Sequence, residues 1–144
     1  MEQVNINFQI KGIELLEFNM KNPQIPLIPE RTYNFNINVE QRINKEEKLV
    51  IVNTAVDLIQ ENDKQCHASI KTSCVFLVEN ILDFASSGNQ QIDLPEHFII
   101  TLNSISLSTT RGIMFSQFKG TFMHNVVLPI VNPSTLILTK LNTQ

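Results

Sequence analysis

Apolar and polar residues alternate with a period of two through most of the first half of the chain. Val4, Ile6, Phe8 and Ile10 share one parity, Ile13 and Leu15 share the other, and the phase changes at Gly12. A phase change at a glycine inside a period-two pattern predicts a β-bulge that bends one long strand over Val4–Phe18, with a frayed pair of short strands as the alternative. In Asn22-Pro23-Gln24-Ile25-Pro26-Leu27-Ile28-Pro29, proline recurs at every third position. Proline forbids a helix and withholds ladder donors, so this stretch is expected to be an extended connection. Its Ile25, Leu27 and Ile28 are too apolar for a solvated loop and should lie across an apolar surface.

Tyr33 to Ile43 alternates cleanly, with Phe35, Ile37, Val39 and Ile43 on one face and Asn34, Asn36, Asn38 and Glu40 on the other. This predicts a half-buried strand. After the polar turn Asn44-Lys45-Glu46-Glu47-Lys48, the next strand, Leu49 to Ile59, opens with Leu49, Val50, Ile51 and Val52, which are apolar on both faces. Such a strand belongs in the middle of a sheet. A second polar turn, Gln60 to Lys64, precedes a fourth strand from Cys66 to Val78. Turns this short imply an antiparallel meander.

The pattern then changes. Ser86-Ser87-Gly88-Asn89-Gln90 reads as a loop, and Leu94-Pro95-Glu96 as a helix start with an acid at the positive end of the dipole. Phe98, Leu102, Ile105, Ile113 and Phe118 step by threes and fours or their sums, so a long helix is expected from Pro95 to Phe118, closed by Gly120. Its middle, Ser104-Ile105-Ser106-Leu107-Ser108-Thr109-Thr110, has low helix propensity, so tertiary or quaternary packing must hold it. Small residues there would also admit a second helix at close range. Asn125 to Val131 should be extended, and Asn132-Pro133 should open a short helix through Leu141. The expected fold class is therefore α+β: one domain over 1–144, a four-stranded antiparallel sheet, a long helix and a short C-terminal helix.

Composition narrows the function. With 42% hydrophobic and 17% charged residues the chain can offset the entropy of folding. A net charge of −3 provides no cationic field for a phosphate backbone, so nucleic acid is not an expected partner. So few charges on a small domain mean that apolar surface is either exposed or buried against another chain. No apolar run approaches the ~20 residues of a membrane span, and Met1-Glu2-Gln3-Val4-Asn5 lacks the basic charge of a signal peptide, so a cytoplasmic protein without membrane insertion is expected.

Catalytic chemistry is hard to find. Cys66 and Cys74 fall on one strand roughly 26 Å apart at ~3.3 Å per residue, so they are expected to be packed thiols. His67, His97 and His124 are dispersed, so no metal or other cofactor is expected, and His67 reads as a surface or interface histidine. No glycine-rich phosphate loop or nucleophile elbow occurs, and Glu46-Glu47 and Glu61 with Asp63 fall in turns as solvated charge. No catalytic residue is assigned and the chain reads as a non-enzyme. Apolar residues instead gather at the end of the long helix, in Phe115, Phe118 and Phe122, and in the last segment, in Leu136, Ile137, Leu138 and Leu141.

Phe8-Gln9-Ile10-Lys11-Gly12-Ile13, followed by Asn22-Pro23, resembles the opening strand and crossover loop of the SecB family of bacterial protein-export chaperones. Arg111, Lys119-Gly120-Thr121-Phe122 and Leu128-Pro129-Ile130-Val131-Asn132 are similar to that family's Arg-Gly-Thr-Phe segment and its approach to the last helix. The resemblance implies an ATP-independent holdase for non-native polypeptides or preproteins. It also implies a homotetramer, a dimer of dimers with long helices between two eight-stranded sheets. Carried over by position, Ile25, Leu27, Ile28, Tyr33, Phe35, Ile37, Leu136 and Ile137 would line the client groove. Ala68, Ile70 and Thr72 on the fourth strand, with Ser106, Thr109 and Ile113 on the long helix, would meet other subunits. The family's zinc-binding tail, which docks on the motor SecA, has no counterpart here, so SecA is left open as a partner. A dedicated chaperone of a toxin–antitoxin pair is the alternative function, and a hot-dog-type thioesterase a more distant one.

Overall fold

The computed structural model describes residues 5–21, 33–61, 64–86, 88 and 91–132. Four strands, β1 (Phe8–Met20), β2 (Tyr33–Asn44), β3 (Leu49–Gln60) and β4 (Cys66–Val78), are followed by one turn of 3-10 helix (Ile81–Phe84) and a long helix, α1 (Glu96–Phe118). The sheet order is β1-β4-β3-β2, and every neighbouring pair is antiparallel. The expected meander thus holds for β2, β3 and β4, whose turns are short. β1 pairs with β4 at the opposite edge from β2, so the chain between Lys21 and Tyr33 joins the two edges of the sheet. That connection and the expected C-terminal helix lie outside the described residues.

β1 contains two irregularities, one between Ile10 and Gly12 and one between Leu15 and Glu17. The first is the bulge predicted at the glycine. The second was not predicted: the apolar parity changes again between Leu15 and Phe18, but Leu15-Leu16-Glu17 holds neither glycine nor proline to mark the break. Together they set the face of the strand. Each extra residue resets the alternation, so Phe8, Ile10, Ile13, Leu15, Phe18 and Met20 stand opposite Val78, Phe76, Cys74, Thr72, Ile70 and Ala68 respectively. All six side chains therefore share one side of the sheet despite their uneven spacing in sequence.

The same side is buried along the two central strands, through Val50, Val52, Thr54, Val56, Leu58 and Gln60 on β3 and Ala68, Ile70, Thr72, Cys74, Phe76 and Val78 on β4. Helix α1 covers it with Phe98, Ile99, Leu102, Leu107, Met114 and Phe118, and also with the buried polar residues Asn103, Ser106 and Thr110. Pro95 occupies the cap position, where its carbonyl accepts from the N–H groups of Phe98 and Ile99 at 3.0 and 3.2 Å. Gly120, at φ +80°, takes the left-handed conformation just past the helix, as expected for a residue without Cβ. Along the low-propensity middle the hydroxyls are satisfied within the helix: Thr101, Ser104, Ser106, Thr109 and Thr110 each donate to the carbonyl four residues earlier, at 2.8 to 2.9 Å. A hydroxyl satisfied within its own helix can be buried against a sheet at little cost.

Two sequence expectations are corrected. Cys66 is exposed and is not a packed thiol; only Cys74 is buried, and both are free. His67 is buried and is not a surface residue. It is the extra residue where the β3–β4 register shifts, and its ring meets that of Tyr33 edge-on at 5.7 Å.

Candidate binding surface

Two aromatic contacts tie the ends of α1 to the ends of β1. Phe98 packs edge-on against Phe8 at 5.0 Å, and Phe118 lies 5.9 Å from Phe18. Between these anchors the helix lies toward the centre of the sheet: Asn103 accepts a hydrogen bond from the Gln41 amide on β2, and Thr110 meets Thr72 on β4 at 2.7 Å. The middle of β1 is consequently left bare. Ile10, Ile13 and Leu15 point to the helix side of the sheet yet are 46%, 48% and 40% exposed. Ile105, Thr109 and Ile113, spaced four apart on α1, form a half-buried stripe. The Thr109 hydroxyl lies near the thiol of Cys74, the ladder partner of Ile13, so this stripe borders the bare stretch of β1. Burial pushes the Cys74 thiol above its ordinary value, and the hydroxyls of Ser106 and Thr109 oppose that shift in part.

A second apolar surface lies beyond the helix. Arg111 donates from Nε to the Leu128 carbonyl at 2.7 Å and from Nη2 to the Pro129 carbonyl at 3.1 Å. These bonds fold residues 121–132 back along α1. Leu128 and Met123 point inward and are buried, whereas Val127 and Ile130 are 51% and 94% exposed. Where the segment leaves the helix, Phe115, Lys119, Gly120, Thr121, His124 and Asn125 line an open pocket of about 680 Å³.

Among the residues singled out from the sequence, Tyr33, Phe35 and Ile37 face the helix side of β2, half-buried against the core. Ile25, Leu27, Ile28, Leu136 and Ile137 lie outside the described residues. Ala68, Ile70, Thr72 and Ser106 are buried between the sheet and the helix of a single chain, because even-numbered positions of β4 face α1. Their side chains are thus covered before any second copy approaches. Thr109 and Ile113 are partly accessible. Two features were missed. Gln41 is buried with Asn103, and its parity with Val39 and Ile43 was the available signal. The bare face of β1 carried no signal, since exposure there depends on where the helix lies. Among the described residues, no three His, Cys, Asp or Glu side chains are grouped to hold a metal ion, and no helix is long and apolar enough to cross a membrane.

No protein-family model matches the chain, and no curated protein matches its sequence. It is similar to a solved structure, a SecB-like chaperone of Mycobacterium tuberculosis in complex with a ChAD peptide from the antitoxin HigA1. The TM-score is 0.62 at 15% identity, over 86% of this chain and 89% of that one. The chain therefore has the SecB-like fold, an α+β arrangement of a four-stranded antiparallel sheet followed by one long helix.

Proposed function

We propose that this chain is a molecular chaperone of the holdase type, which binds non-native polypeptides or preproteins without ATP and works as a homotetramer in the cytoplasm. The observation that carries the reading is the apolar surface that a single SecB-like chain leaves uncovered along both edge strands, Ile10, Ile13 and Leu15 on β1 and the half-buried Tyr33, Phe35 and Ile37 on β2. A contiguous apolar surface of this kind is costly in water and is retained where it serves binding. Two uses share it. The bare stretch of β1 and the stripe Ile105, Thr109 and Ile113 suit a second copy of the chain, which would make a dimer of dimers. Tyr33, Phe35 and Ile37, together with Ile25, Leu27, Ile28, Leu136 and Ile137, suit extended client segments. Several weak sites on one assembly would hold a client by avidity, each contact raising the effective concentration for the next.

A second reading narrows the client to an antitoxin. It is favoured by the similar structure, which was solved with an antitoxin peptide. Direct binding of purified SecA would extend either reading toward export. A hot-dog-type thioesterase is disfavoured, since α1 follows all four strands here. The deciding experiment follows aggregation of a chemically unfolded protein diluted into buffer with the purified chain. Suppression at equimolar tetramer or below supports the holdase, and none at any ratio overturns it. Leu27→Asp combined with Ile137→Asp is expected to weaken capture, and unchanged capture removes those residues from the groove.

A further inference from the structure

The pocket where α1 ends differs in chemistry from the apolar face of β1. Its lining of Phe115, Lys119, Gly120, Thr121, His124 and Asn125 contains one phenyl ring, 54% exposed, one imidazole and one permanent cation, but no carboxylate. Among the described residues, Lys119 makes no ion pair. The Thr121 hydroxyl is already used, donating to the Phe118 carbonyl at 2.6 Å and accepting from the Met123 N–H at 3.1 Å. His124 Nδ1 lies 3.0 Å from the Thr121 carbonyl, and a nitrogen facing a carbonyl carries the proton. Lys119, on a chain of net charge −3, is the one permanently charged side chain of this lining. At about 680 Å³ the space falls in the size range of sites that take a compact ligand.

Resting on the holdase reading, we infer that this pocket selects client segments in which an aromatic side chain adjoins a carboxylate. The aromatic side chain packs on Phe115, where ring pairs prefer offset or edge-on contact. The neighbouring Asp or Glu meets the Lys119 ammonium. A segment with Lys or Arg in that place brings like charges together, so the pocket discriminates by charge and holds by apolar contact. A pocket lined only by apolar groups has no charge of its own with which to tell the two kinds of segment apart; this one has Lys119.

The test uses the full-length chain and two labelled ten-residue peptides, one with a central Phe-Asp-Glu and one with Phe-Lys-Lys, measured by fluorescence anisotropy at low salt. The expected result is that the acidic peptide binds about five- to tenfold more tightly than the basic one. Lys119→Glu reverses the order, and Phe115→Ala weakens both peptides by a similar factor. Both side chains are exposed, so both variants are expected to keep the helical circular dichroism of the parent. If Lys119→Glu keeps the parent's preference, the inference falls while the holdase reading stands on aggregation suppression. If neither peptide binds and aggregation is not suppressed, the holdase reading falls and takes the inference with it.

Discussion

The hydroxyl of Thr72 on β4 stands 2.7 Å from that of Thr110 on α1, in the fully buried seam between sheet and helix. Thr110 already gives its single proton to the Ser106 carbonyl at 2.8 Å, so Thr72 is the donor of the pair. The two positions are therefore unequal. Thr110→Val leaves the Thr72 hydroxyl without an acceptor and should cost about 1–3 kcal/mol, while Thr72→Val leaves Thr110 satisfied and should cost about 0.5–1 kcal/mol. Removing both should cost less than the sum. Equilibrium urea unfolding of the two single variants and the double variant measures this, and strict additivity would show that the hydroxyls are not coupled.

Arg111 holds two successive carbonyls with two different guanidinium nitrogens. A lysine can reach only one such acceptor at a time, so Arg111→Lys should loosen the segment almost as much as Arg111→Ala. Hydrogen exchange across 123–131 should become about tenfold faster or more in both variants, as loss of roughly 1.5 kcal/mol from local opening requires. Exchange in β3 should stay unchanged.

Ile13 is about half exposed and takes no part in the aromatic anchors at the ends of β1. Ile13→Asp should therefore fold as a protomer and lose self-association, because a charge would be buried against the second copy. Light scattering after gel filtration reads the mass, and circular dichroism reads the helix. An unchanged assembly mass would remove β1 from the subunit contact.

The two thiols should behave differently. Cys66 is exposed and should react with an alkylating reagent at neutral pH, whereas buried Cys74 should react only after unfolding. The raised value of Cys74 also sets a direction for stability. The folded state holds its proton more tightly than the unfolded state, whose thiol titrates near 9.0, so this contribution is complete below that pH and is lost as pH rises through the folded value. Cys74→Ser should flatten the fall in stability as pH rises above 9.0, and an equally steep fall would assign that loss to other groups.

Much of the architecture was legible because period-two and period-3.6 patterns report local conformation directly. Cys66 to Val78 and the end of α1 at Phe118 were read to the residue, and the two-sided apolar opening of β3 placed it inside the sheet. The bulge near Gly12 was legible because glycine marks it. The bulge after Leu15 was not, because a strand can insert a residue wherever its partner's face demands it, and that demand comes from β4. His67 illustrates the same limit, since its burial follows from a register shift between two strands. The candidate surface was legible only in part. The excess of apolar residues over charge announced that a surface existed, and the resemblance to SecB assigned Tyr33, Phe35 and Ile37 to it, but Ile10, Ile13 and Leu15 read simply as the alternating apolar positions of a bulged strand.

By itself, the order of residues determined the strands, the helix and the side of each that is apolar, since those properties depend on neighbours a few positions away. It also determined that too little charge was present to cover the whole of that apolar surface. Tertiary structure alone decided which apolar residues remained uncovered. α1 is one cylinder about 10 Å wide on a sheet whose strands stand ~4.8 Å apart, so it cannot cover all four. The polar pairs Gln41 with Asn103 and Thr72 with Thr110 seat it toward the middle of the sheet. β1 is therefore anchored at its ends and bare between them.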